Sequence, residues 1–61
     1  MKVSELKRIL RAGGCYHVKD GKEHEMWISP ITGNKLRIPR HDSKELPTGT
    51  KDRILKDAGL K

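Results

Sequence analysis

Two segments of helical periodicity, each stopped by glycine, bracket three short runs that alternate like strands. That order leaves few ways to fold the chain. In "VSELKRILRAGG", residues 3–14, Val3, Leu6, Ile9 and Leu10 recur on one face of a helix. Ser4 stands where an N-cap is expected, and Gly13 and Gly14 where the helix should end. Lys7, Arg8 and Arg11 suit the later turns, where the helix dipole favours cations. In "TKDRILKDAGLK", residues 50–61, Ile54, Leu55 and Ala58 form the apolar face. A start at Pro47 or Thr48 is expected there, and a stop at Gly59.

The intervening runs are "CYHVK" at 15–19, "HEMWIS" at 24–29 and "KLRI" at 35–38. "DGK" at 20–22 is a turn signal, "SPITGN" at 29–34 a loop, and Pro39 closes the last run. The stretch "RHDSKELPTG", 40–49, is polar and rich in turn formers. The expected fold is α+β, in the order α-β-β-β-α, with a three-stranded antiparallel meander and two helices on one face. Core candidates are Leu6, Ile9, Leu10, Val18, Met26, Ile28, Leu36, Ile38, Ile54, Leu55 and Leu60. Alternation then assigns His17, Lys19, Glu25, Trp27, Lys35 and Arg37 to the opposite face. Sixty-one residues fit a single domain, 1–61, that buries only about 60% of its unfolded surface and is marginally stable.

Composition narrows the function. Fourteen Lys and Arg oppose eight Asp and Glu, a net charge of +6, with a pI near 9.8. Such a balance favours polyanionic partners, nucleic acid first and an acidic protein second. Cys15 is the one cysteine, which excludes an internal disulfide framework and suits a reducing compartment. No apolar run is long enough for a signal peptide or a membrane span, so a soluble, cytoplasmic protein is expected.

"GKEHEMW", residues 21–27, poses the main functional question: His24 is either an exposed residue at a strand end or a proton-transfer group. The sequence resembles the HicA toxins, bacterial messenger-RNA endonucleases of HicA–HicB toxin–antitoxin pairs. The resemblance runs from the first helix through "GKEHEMW" and "SPITGNKLRIPRHDSKELPTGT" to "RILKDAGL". Four short matches in order, the strand histidine, "SPITG", "IPRH" and "ILKDAGL", carry it. It implies a fold similar to the double-stranded-RNA-binding domain, cleavage of mRNA without a metal or other cofactor, and neutralisation by a HicB-like antitoxin. The family motif is glycine-serine-histidine at the start of the second strand, with the histidine as the catalytic group, which corresponds to His24. Here Lys22 and Glu23 precede that histidine and the glycine stands one place earlier, at Gly21, so the serine hydroxyl is missing.

Cleavage of RNA by its own 2′-hydroxyl needs a proton acceptor, a proton donor and cations for the charge that grows on the phosphoryl oxygens. Histidine can perform either proton transfer near neutral pH. Lys19, Lys22, Arg37 and Arg40 are the RNA-binding candidates around it. Glu23 and Glu25 should point away from His24 on a strand. By alternation His24 shares its side with Met26 and Ile28, so a place at the sheet's rim, beside the first helix, is expected. Trp27 is compatible with core packing, with stacking on a base and with docking a protein partner. His17 reads as a polar strand residue and His41 as a loop residue. Cys15, His17, His24 and His41 match no paired metal-ligand spacing. A non-catalytic RNA-binding module of the same fold, and a basic protein-interaction domain, are the alternatives.

Overall fold

The two helices bury one stripe each against the same face of a small sheet. The computed structural model describes residues 1–61. The elements are α1 (Val3–Ala12), β1 (Tyr16–Asp20), β2 (His24–Ile28), β3 (Lys35–Pro39) and α2 (Thr48–Asp57). The strands lie in the order β1-β2-β3, antiparallel throughout. Val3, Leu6 and Leu10 from α1 and Ile54 with Ala58 at the end of α2 meet Trp27, Leu36 and Ile38 from the sheet in one core, completed by Cys15 and Leu46.

The helix ends are closed by loops. No side chain caps α1, and Lys2 rather than Ser4 occupies its N-cap position. The amides of Val3 and Ser4 instead donate to the carbonyls of Lys44 and Asp42, each at 3.0 Å. The polar stretch before α2 is thereby tied to the start of α1, and its Leu46 is buried in the core. At the other end of the molecule, "SPITGN" clamps the end of α2. Ser29 Oγ donates to the carbonyl of Ala58 at 2.6 Å, while Thr32 Oγ1 and Asn34 Nδ2 donate to that of Asp57 at 2.8 and 3.0 Å. Gly59 takes φ +77°, a left-handed turn that ends the helix where the sequence places its stop.

Strand phase departs from the sequence reading in β1 and β2. Trp27 opposes Leu36, and Glu25 opposes Ile38, so Trp27 and Glu25 face the helices. Met26 and Ile28, expected in the core, lie on the other face and are half-buried. In β1 the register shifts between His17 and Lys19. That bulge turns His17 toward Trp27 and Lys19 toward Met26, and it leaves Val18 exposed. Ile9 is also exposed. The phase of β3 agrees with the sequence, with Leu36 and Ile38 inward and Lys35 and Arg37 outward. A fully buried indole outweighs two half-buried aliphatic chains, because aromatic side chains remove the most apolar area from water.

Candidate active site

The phase of β2 decides where His24 goes. Sharing its side with Met26 and Ile28 puts the imidazole on the open face of the sheet rather than at a rim beside α1. It opposes Pro39 on β3, with Arg37 as its diagonal neighbour on the same face. The β1–β2 turn delivers it there. The Gly21 amide donates to the His24 carbonyl at 2.6 Å, and a Cβ on residue 21 would come within 2.8 Å of that oxygen. Glycine is therefore required at 21 by close approach.

Arg40 holds the turn from the β3 side. Its Nη1 donates to the carbonyls of Gly21 and Lys22, both at 3.3 Å, and its backbone amide reaches the Glu23 carbonyl at 3.4 Å. Of the four cations proposed from sequence to bind RNA, Arg40 is thus engaged with backbone. Lys19, Lys22 and Arg37 surround His24 instead. Together with Gly21, Glu23 and Met26 they line an open groove of about 450 Å3.

A second groove, of about 530 Å3, starts at the same histidine and runs over β3 to α2. Its polar lining is His24, Lys35, Arg37, Thr50, Arg53 and Asp57. Lys35, Thr50 and Arg53 were not among the sequence candidates for the site. Nothing in the spacing of residues 35 and 53 announces that they share a groove; the clamp of "SPITGN" on α2 brings them together.

The helix side of the sheet carries a different constellation. Glu25 Oε1 accepts from Trp27 Nε1 at 3.0 Å and pairs with Lys7 Nζ at 3.1 Å, and Lys7 Nζ also donates to Asp42 Oδ1 at 2.6 Å. Burial works against both charges, yet Lys7 is held above the usual lysine range by its hydrogen bonds to Asp42 and Glu25 and by their charges. Burial likewise opposes the Glu25 carboxylate. The hydrogen bonds from Trp27 and Lys7, with the charges of Lys7 and His17, more than offset this and hold it below the carboxylate range. Asp42 is lowered by the hydrogen bond and charge of Lys7.

The Arg11 guanidinium lies 5.1 Å from the centre of the Trp27 ring, and His17 meets that ring edge-on at 6.2 Å. His17, Asp20 and Glu25 bring potential ligand atoms within 4.8 Å of one another. His17 Nε2 is already hydrogen-bonded to Asp20 Oδ1 at 2.8 Å, and Glu25 is neutralised by Lys7, so these groups have protein partners of their own. Trp27, left open among three roles by the sequence, is a core residue with its N–H satisfied. His17 and His24 face opposite sides of the sheet, and Cys15 is in the core, so these residues do not converge.

Residues 3–60 match the family described as the HicA toxin of bacterial toxin–antitoxin systems. The chain belongs to the HicA toxin family. It is 41% identical, over the full length of both chains, to the probable mRNA interferase HicA 2 of Photorhabdus laumondii subsp. laumondii. Its fold is similar to a chain in the crystal structure of the E. coli HicAB toxin–antitoxin complex, with a TM-score of 0.81 and 30% identity. That similarity covers 98% of this chain and all of the other. No helix of this HicA chain is long and apolar enough to cross a membrane.

Proposed function

We propose that this HicA chain is the toxin of a type II toxin–antitoxin pair, an endoribonuclease that cleaves mRNA in the cytoplasm without a metal, with His24 as its proton-transfer group. The observation that carries the reading is the shared position of His24 and Arg37 at the junction of two cation-lined grooves on the open face of the sheet. The full-length likeness to a probable mRNA interferase supports the choice of substrate.

In this reading the neutral imidazole of His24 takes the proton from a ribose 2′-hydroxyl. The freed oxygen attacks the adjacent phosphorus, a cyclic 2′,3′-phosphate forms, and the bond to the 5′ oxygen breaks. That oxygen leaves as a hydroxyl, with a proton supplied by solvent. Arg37, Lys19 and Lys22 offset the charge that builds on the phosphoryl oxygens, where fixed cations act most strongly. Arg40 acts through the turn it holds.

We further infer a HicB-like antitoxin as the protein partner, supported by the likeness to a chain of the HicAB complex. An antitoxin that binds only the folded toxin must raise its melting temperature. The test of the activity is incubation of the purified chain with a long RNA in excess EDTA. Fragments that end in cyclic phosphate, and that disappear when antitoxin is added, are expected. RNA retained but never cut would favour the non-catalytic binding module.

A further inference from the structure

The cations of this chain divide into those already engaged and those left free. Lys7, Lys51 and Lys61 are held by Glu25, Asp42 or Asp52, and the N-terminus by Glu45. Arg40 is held by turn carbonyls, and Arg11 lies over Trp27. Lys35, Arg37 and Arg53 take part in none of the ion pairs and none of the side-chain hydrogen bonds, although all three are exposed and line one groove. Asp57 is the single carboxylate lining it, and its backbone carbonyl is turned to Thr32 and Asn34.

Three unpaired cations against one acid make this an anion-attracting groove. The groove on the other side of His24 sets Lys19, Lys22 and Arg37 against Glu23, because the Glu25 carboxylate turns to Lys7 and Trp27 on the helix side. The two grooves meet at His24 and Arg37.

We infer that Lys35 and Arg53, with the Thr50 hydroxyl, form a second RNA subsite that holds the phosphates on the α2 side of the scissile bond, so that a single RNA strand crosses β3 instead of running along it. The inference rests on the proposed ribonuclease function. The strand lies in the Lys19–Lys22 groove on one side of His24 and passes over Arg37 into the Lys35–Arg53 groove on the other. A side chain of β3 and one of α2 thus grip the same strand, and α2 serves as a wall of the substrate channel. The clamp of the 29–34 loop on the end of α2 sets the width of that channel, because it fixes the helix against the β2–β3 connection.

The experiment compares wild type, the double variant Lys35→Gln/Arg53→Gln, and Arg8→Gln as a charge control on α1, outside both grooves. Cleavage of a fluorescent single-stranded RNA is measured in EDTA from low to moderate salt, and the same RNA is titrated against each variant in a His24→Ala background. The double variant should raise KM about tenfold and change kcat less than about threefold. The slope of log Kd against log salt should fall by about 1.4, at about 0.7 per phosphate contact on a single strand. Arg8→Gln should leave KM and the salt slope near wild type. Melting curves show whether each variant is folded. If wild type cleaves RNA but the folded double variant keeps its KM and salt slope, the subsite is wrong and the ribonuclease reading stands. If wild type neither cuts nor binds the RNA, both fall together.

Discussion

His24 and Arg37 are diagonal neighbours on adjacent strands, and they are the two residues that line both grooves of the open sheet face. In the proposed mechanism the proton-transfer group and an unpaired cation thus stand beside one another on a face that RNA can reach. Arg37→Gln should lower the cleavage rate about 10²–10³-fold, the range for removing one group that stabilises transition-state charge. Single-turnover kinetics at saturating RNA read this directly. A change confined to KM would make Arg37 a binding residue alone.

Arg40 should behave differently from Arg37, although both are exposed arginines on or beside β3. Its guanidinium is bonded to the carbonyls of Gly21 and Lys22. Arg40→Gln should speed hydrogen exchange at the Gly21 amide, which is bonded to the His24 carbonyl, and should lower kcat with an unchanged salt dependence of RNA affinity. A smaller salt slope with unchanged exchange would make it a phosphate ligand instead.

Trp27 anchors the core with no exposed surface. Trp27→Ala should cost about 3–5 kcal/mol, comparable to the whole stability expected of so short a chain at about 0.05–0.15 kcal/mol per residue. It should be largely unfolded by circular dichroism. Trp27→Phe keeps most of the packing but removes the N–H bonded to Glu25. Its midpoint in urea should lie between those of wild type and the alanine variant.

The ion-pair network sets a pH window for stability. Glu25 and Asp42 are held below their ordinary range, so their contribution is complete above about pH 4–5, where the unfolded carboxylates are also ionised, and is lost as pH falls through their lowered values. Lys7 is raised, so its contribution is complete below about pH 10 and is lost as pH rises through its folded value. Denaturation from pH 2 to 8 should show falling stability on the acid side, and Glu25→Gln should flatten that limb. At pH 7 the same substitution should cost about 1.5–3 kcal/mol, the range for hydrogen bonds to a charged group. An acid limb unchanged by Glu25→Gln would assign it to other carboxylates.

The element order, the C-terminal ends of both helices and the inward face of β3 were legible because each rests on local signals: periodicity, glycine stops and a short alternating run. The phase of β2 was not. Met26 and Ile28 outnumber Trp27, and Glu25 looks wrong for a core-facing position until Lys7 arrives from α1 to neutralise it, held in turn by Asp42 from the loop before α2. A slip of one residue inverts every side chain on a strand, and the bulge in β1 adds a shift that no alternating pattern announces. The same inversion resolves the position of His24, whose expected side beside Met26 and Ile28 is correct although that side is the open one. Lys19, Lys22 and Arg37, chosen for their nearness in the chain to the turns and strands around His24, do line a groove with it. Lys35 and Arg53 share a groove with His24 through the docking of α2, a long-range contact with no sequence signature.

The central claim is that the His24 imidazole transfers the proton in RNA cleavage. The most direct measurement is the single-turnover cleavage rate of His24→Gln beside wild type, in EDTA at saturating RNA, with melting curves recorded on both proteins. A loss of about 10²–10⁴-fold, the range for one general acid–base group, with an unchanged melting temperature and retained RNA affinity, is the predicted result. A folded His24→Gln protein that cuts RNA at close to the wild-type rate would contradict it.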